Sequence, residues 1–335
     1  MQRSLLGSSD LNVSQICLGC WQFNGGKSDE TWPAQSIKVS QSIVDKAIEM
    51  GVNFFDTAEA YGMHKSEEVL GQCLGSRRRD VIIASKFGAR VKTPYRATDI
   101  EESLRLSLEA LKTDYIDLYQ VHWSVMMNDA KETVAELKRL QAKGQIKHYG
   151  VCNFGVQDMK DFKDAGGTAV TNQLAYNLLF RPIECDIIPA CVDNNTSVLA
   201  YSPLQQGLLT GKFSKPEDVP EGRRRTRHFS KDSTTLSKHG QDGAEELTFK
   251  SIESIRKACE EESVLMATAS LSWLLKQQNV ASVIVGCSSA DQLEQNCKLV
   301  QVSQEFNKKL IEATDELKNV FGNNPDMWAP TSRIH

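Results

Sequence analysis

Residues 51–61 read GVNFFDTAEAY, and this stretch decides the fold. An apolar run, Phe54-Phe55, stops at an acid, Asp56. Two later stretches repeat the pattern with a different ionisable group at the end. DVIIASKFG (80–88) runs through Val81, Ile82, Ile83 and Ala84 to Lys86, and DYIDLYQVHW (114–123) runs to His122. Helix-like segments separate the three. In a barrel of parallel strands, residues at the carboxyl ends of strands face one shared mouth, where such folds keep their chemistry. A carboxylate, an ammonium and an imidazole converging there, with Tyr61 just past the first run, make a proton-handling site.

Working outward, strand-like and helix-like segments alternate about eight times. The strands are expected at 15–19, 53–56, 81–85, 115–121, 148–152, 170–174, 197–200 and 280–285. The intervening helices are expected at 39–50, 66–74, 100–111, 131–142, 156–165 and 185–194, with a last one at 292–299. Gly51, Gly75, Gly144 and the pair Gly166-Gly167 supply helix stops. Alternating short β-rich runs and helices imply a parallel sheet. Eight units in a chain of 335 residues fit a closed (β/α)8 barrel forming one domain over residues 1–335. The rival, an open sheet binding a dinucleotide, calls for a GxGxxG turn after an early strand. The first strand runs instead into Gly19-Cys20-Trp21. Three segments fall outside the repeat: a loop at 21–36 after the first strand, a longer one at 203–243 after the seventh, and a tail at 327–335 carrying Trp328. Loops of this length are usually functional or disordered, and all three can reach the barrel mouth. Residues 230–243 are polar enough to be partly disordered.

The bulk numbers exclude several classes. A net charge of −4 argues against a nucleic-acid surface, with one basic run, Arg223, Arg224, Arg225 and Arg227, as a local exception. No apolar stretch approaches the ~18 residues that span a bilayer, so no membrane association is expected. The opening residues MQRSLLGSSDL lack an apolar signal core. Nine cysteines without paired spacing point to reduced thiols in a cytoplasmic protein and to no structural zinc.

The chemistry follows from the four groups. A tyrosine phenol ordinarily holds its proton to about pH 10. A neighbouring ammonium favours the phenolate and lowers that value, so Lys86, held in place by Asp56, would make Tyr61 an acid able to protonate a developing alkoxide. His122 would donate to, or orient, the substrate oxygen. Reduction of an aldehyde or ketone needs such an acid, and its hydride must come from a cofactor. Each residue has a plainer reading. Asp56 would cap a turn, Tyr61 would be a turn aromatic, Lys86 a solvated strand end and His122 a core histidine. Their conjunction at one end of consecutive strands favours the functional reading.

The runs DTAEAYG (56–62), IIASKFG (82–88) and DLYQVHW (117–123), with GVCNF (150–154), NQLAYN (172–177), YSPLQQGLLTGK (201–212) and GCSSADQLEQN (286–296), resemble aldo-keto reductases over nearly the whole chain. The resemblance implies a (β/α)8 barrel with NADP(H), or alternatively NAD(H), extended across its mouth. It puts Asp56, Tyr61, Lys86 and His122 at the family's catalytic tetrad, with Tyr61 as proton donor. It puts Asn153 and Gln173 on the nicotinamide carboxamide, Cys152 beside them, and Tyr201 against the nicotinamide ring. Ser202, Leu204, Gly207, Leu209 and Lys212 match the pyrophosphate-facing loop. Gly286, Ser288, Gln292, Gln295 and Asn296 match the adenosine end, where a strand, a glycine and a serine-rich helix start also suggest an anion site. Ser289 and Gln292 equally suit a capping box.

Three departures matter. Cys152 stands where the family usually has serine, Gln295 where a glutamate often meets adenine, and Ser288 where many members carry a cation for the 2′-phosphate. Residues 223–227 would compensate for the last by folding over the cofactor, or would form a solvated charge run. The expected activity is reduction of a small-molecule carbonyl. Trp21 and Trp123 as substrate contacts suit the reverse reaction on a sugar equally well. A third reading is a cofactor-holding sensor like potassium-channel β subunits; the chain starts almost at the first strand, without an added N-terminal segment, which favours the enzyme. Oligomeric state stays open.

Overall fold

The computed structural model describes residues 1–23, 35–88, 94–329 and 332–335. Most of the loop expected at 21–36 therefore lies outside the described residues. The chain opens with a hairpin, β1 (Arg3–Leu5) and β2 (Asn12–Ser14). The repeat begins at β3 (Ile16–Gly19) and α1 (Ile37–Glu49), then β4 (Phe54–Asp56), α2 (Lys65–Leu74), β5 (Ile82–Phe87) and α3 (Ala97–Leu111). It continues with β6 (Ile116–Val121), α4 (Ala130–Ala142), β7 (Ile146–Cys152), α5 (Val156–Asp164), β8 (Thr171–Ala175), α6 (Ile187–Asp193) and β9 (Ser197–Tyr201). After a long irregular stretch come α7 (Glu245–Glu261), α8 (Met266–Lys276), β10 (Val280–Val285), α9 (Ala290–Asn296), α10 (Gln304–Glu312) and α11 (Asp315–Phe321).

The eight strands β3 to β10 pair in parallel and in chain order, and β10 closes on β3. This is the expected (β/α)8 barrel. Strands buried on both faces need continuous apolar or small residues, which is what β10 supplies; β6 is equally buried but carries Asp117, which pairs with Arg78 at 2.9 Å. Helices bury one stripe each: Ile43, Val44 and Ala47 in α1, and Ile100, Leu104 and Leu111 in α3.

The hairpin seals the amino end of the barrel. Leu6, Leu11 and Val13 pack against Cys17, Phe54 and Leu118 from the barrel interior. Asn53, one residue before β4, accepts a hydrogen bond from the Ser14 amide at 2.7 Å. Two expectations change. Residues 230–243 form a tied turn structure in which Lys231 N–H donates to Gln241 O at 2.8 Å and Thr234 and His239 are buried. Helices α7, α8, α10 and α11 lie outside the expected set: α8 packs on β10, α7 on α8, and α10 and α11 on α7.

Candidate active site

The carboxyl end of the barrel holds one cavity of about 1100 Å³. Asp56 ends β4, Lys86 sits inside β5, and His122 follows β6 directly. Tyr61 lies in the turn leading to α2. The Lys86 ammonium is fully buried, and its three protons have three acceptors: Asp56 Oδ1 at 2.7 Å, the Thr57 carbonyl at 2.8 Å and the Tyr61 hydroxyl at 3.2 Å. The second Asp56 oxygen accepts from Gln173 Nε2 at 2.8 Å. Asp56, Tyr61 and His122 line the cavity, while Lys86 lies beneath it. The tyrosine ring meets His122 edge-on with centroids 6.2 Å apart.

Burial opposes the Lys86 ammonium, but Asp56, Tyr61 and Cys152 around it outweigh that and hold its pKa above the ordinary lysine value. Tyr61 departs from expectation. Burial pushes its phenol up to about 12, and Lys86 only partly pulls it back, because Asp56 pushes the same way as burial. The site without ligand thus keeps the tyrosine protonated, as a proton donor requires. His122 is pushed down to about 3 by burial and by the charges of Lys86 and Arg333, so its imidazole is neutral. Its Nδ1 is buried and has no partner among the described residues.

Of the proposed dinucleotide contacts, all but one line the same cavity; the exception is Leu209, a fully buried core residue. An apolar position in a loop motif packs inward as readily as toward a ligand, and spacing does not distinguish the two. Asn153 adopts left-handed backbone (φ 58°), which asparagine tolerates. Its amide nitrogen donates to Cys152 Sγ and to the His122 carbonyl, each at 3.2 Å, and its oxygen accepts from Tyr201 at 2.9 Å. The Cys152 sulfur accepts the Asn153 bond and donates to Gln173 Oε1 at 3.8 Å, so it links the two amides. Ser202, Gln206 and Gly207 also have positive φ, folding the loop after β9 into the cavity wall.

At the adenosine end, Ser288 donates both its N–H and its hydroxyl to Gln292 Oε1, each at 2.9 Å. Ser289 caps Gln292 N–H at 3.2 Å, so half of the expected capping box forms and the glutamine reaches Ser288 instead. Gln295 Nε2 donates to Thr268 at 3.4 Å. The arginine run divides by role. Arg223 lines the cavity with Lys212, Arg225 lies over the Trp328 ring, and Arg227 is buried, donating to the Asn324 and Phe321 carbonyls and to Gln241. Arg227 is thus a strut to the C-terminal segment, not a cofactor contact. Burial lowers the pKa of both Lys212 and Arg223, and Arg223 lowers Lys212 further.

Trp21, 38% exposed, stacks on Tyr61 with centroids 5.9 Å apart and planes 18° from parallel. Trp123 lines the mouth under Arg333, whose guanidinium carbon is 3.9 Å from its ring centroid. Arg333 in turn forks onto buried Asp326 at 2.8 and 3.1 Å, so the tail folds against the mouth as expected. Sequence reading missed Gln22 and Gln206, both cavity-lining. The Gln22 side-chain oxygen and both amide atoms of Gln206 are buried without partners among the described residues, which only a three-dimensional view exposes. A Cβ on Gly286 would stand 3.0 Å from that Gln22 oxygen, so the glycine lets the Gln22 amide lie close against the strand end. Orphaned amides, a neutral histidine and two half-buried cations fit a long polar ligand with anionic groups. Among the described residues no group of three or more His, Cys, Asp or Glu side chains is arranged to hold a metal ion, and no helix is long and apolar enough to cross a membrane.

Comparison with known proteins agrees with this fold. The aldo/keto reductase family profile matches residues 15–319. The uncharacterised oxidoreductase YqkF of Bacillus subtilis is 33% identical over 306 residues, 88% of this chain and 90% of its own. The NADH-specific methylglyoxal reductase of Escherichia coli is 28% identical over 326 residues, 90% of this chain and 94% of its own. The structure of the glycerol dehydrogenase AKR11B4 from Gluconobacter oxydans superposes with a TM-score of 0.76 at 26% identity, covering 98% of both chains. With a barrel closed in that order and a family match spanning nearly its full length, this chain belongs to the aldo/keto reductase family.

Proposed function

We propose that the protein, acting as one barrel domain over residues 1–335, reduces small-molecule aldehydes or ketones to alcohols with NAD(P)H, preferring NADP(H). One observation carries the reading: the fully buried Lys86 ammonium touches Asp56 and the Tyr61 oxygen at the floor of the cavity. Because Lys86 donates to the Tyr61 oxygen, the tyrosine's own proton is free to point into the cavity. A nicotinamide held in the cavity would supply the hydride that the carbonyl carbon needs. Tyr61 gives its proton to the carbonyl oxygen, and Lys86 stabilises the phenolate left behind. Neutral His122 hydrogen-bonds the same oxygen and fixes its angle. Asp56 keeps Lys86 charged and in place. General acid help of this kind is worth about 10²–10⁴ in rate.

Asn153 and Gln173 would hold the carboxamide, Tyr201 would cover the ring, and Lys212 with Arg223 would take the phosphates. Two cations sharing one wall support the more highly charged dinucleotide. The NADH-specific Escherichia coli relative is the counter-case, so thermal shifts with NADPH and NADH decide the preference. Either ligand at 100 times its Kd stabilises the fold by about 2.7 kcal/mol. Resemblance to a glycerol dehydrogenase favours a second reading, alcohol oxidation at the same site, with Trp21 and Trp123 against the substrate. Initial rates in both directions separate the two. A cytoplasmic setting belongs to the proposal, supported by nine free thiols. The central test is Tyr61→Phe, expected to cut kcat at least ~10²-fold while dinucleotide Kd stays within a few-fold. Near-normal turnover would remove Tyr61 as the proton donor.

A further inference from the structure

Two carboxylates near the site take no part in the chemistry above. Glu59 and Glu67 are 2% and 0% exposed, and neither lines the cavity. Among the described residues, no lysine or arginine forms an ion pair with either. A buried carboxylate is costly unless its oxygens are well bonded, and these are. Glu59 accepts from the Gly88 amide at 3.0 Å, from Tyr95 at 2.9 Å and from Ser103 at 2.9 Å. Glu67 accepts from the Ser85 hydroxyl and is bonded to His64 Nδ1 at 2.6 Å.

The placement of these bonds is what matters. In the chain, Glu59 and Glu67 bracket Tyr61. Their partners on the β5 side, Ser85 and Gly88, bracket Lys86. The turn between the two acids also needs holding. Gly62, Met63 and His64 have φ of +66°, +52° and +67°, three successive residues in a region that side chains other than glycine disfavour. Backbone bonds run the same way: Glu59 N–H donates to the Lys86 carbonyl at 3.0 Å, and His64 N–H to the Glu59 carbonyl at 2.9 Å.

We infer that Glu59 and Glu67 are positioning residues that clamp the Tyr61 turn onto β5 from outside the barrel and so set the contact between the Tyr61 hydroxyl and Lys86. This rests on the catalytic reading above for its kinetic consequence, but not for its structural one. Neither carboxylate lines the cavity proposed to take the dinucleotide. Loosening the clamp therefore slows the proton step without weakening cofactor binding. A shift of about 1 Å in a reacting group costs up to ~10² in rate.

The test uses Glu59→Gln, Glu67→Gln and the milder Ser85→Ala in the full chain. Amide exchange over residues 58–66, dinucleotide Kd by fluorescence, and kcat are measured on each. Expected are faster exchange confined to that turn, a kcat lower by about 10–100-fold in the glutamine variants, and a Kd within about twofold of the parent. Unchanged exchange and kcat in folded variants overturn the clamp. So does a kcat loss that only tracks Kd or the melting temperature. If a glutamine variant fails to fold, Ser85→Ala carries the same comparison. If the parent shows no turnover while exchange still responds, the catalytic reading fails and the clamp stands.

Discussion

On the floor of the cavity, Asp56, Lys86 and Gln173 spend their polar atoms on one another, whereas along the wall after β9 both amide atoms of Gln206 are buried without partners among the described residues. The floor is anchored in strands, where each side chain's direction follows from the pleat. The wall is a loop whose shape depends on distant ties, such as Arg227 to the Phe321 carbonyl at 3.3 Å. A floor complete before any ligand arrives suits transition-state work, since its charges need no rearrangement during reaction. A wall with unspent donors suits binding, since a ligand supplies what is missing.

That contrast can be broken from either side. The largest effect is expected for Lys86→Met, which leaves Asp56 buried and unpaired. Turnover should fall by about 10²–10⁴, and urea titration should show a stability loss of about 3–5 kcal/mol. Dinucleotide affinity should barely change; a collapse there would mean that floor and wall are not separate. Lys212→Ala is the mirror experiment. It should raise dinucleotide Kd by about tenfold, equivalent to about 1.4 kcal/mol, with kcat at saturation intact. A kcat loss at saturation would move Lys212 onto the catalytic side.

A further expected effect concerns pH. Burial holds His122 at about 3 and His228 at about 4, below the ordinary 6.5. The folded chain refuses protons that the unfolded chain takes up. Their stabilisation is therefore complete above the unfolded value and is lost as pH falls from there toward the folded ones. The urea midpoint at pH 5 should lie below that at pH 7.5, and equal midpoints would mean that these rings are more open to solvent than the fold implies.

The barrel and the floor were readable because an apolar run ended by one ionisable residue is a local signal, and three such runs carry Asp56, Lys86 and His122. The hairpin was not, since Arg3–Leu5 and Asn12–Ser14 are three residues each with little alternation. Helix α10 was missed because only Phe306 and Leu310 of its nine residues are buried. Leu209 and Arg227 misled for the same reason: whether a loop residue meets ligand or protein depends on contacts far away in the chain. Glu59 lay in plain view inside DTAEAYG, but its partners Gly88, Tyr95 and Ser103 come from elsewhere.

The hairpin beneath the barrel has a consequence for traffic. With Leu6, Leu11 and Val13 packed against one end, the described residues leave the carboxyl-end mouth as the way in and out. The deepest contacts, around Asp56, Asn153 and Gln173, then lie behind the aromatic rim of Trp21 and Trp123. Whatever fills the depth must be loaded first and released last. Product-inhibition patterns should accordingly be those of an ordered sequence with the dinucleotide leading, and a random pattern would require a second way in.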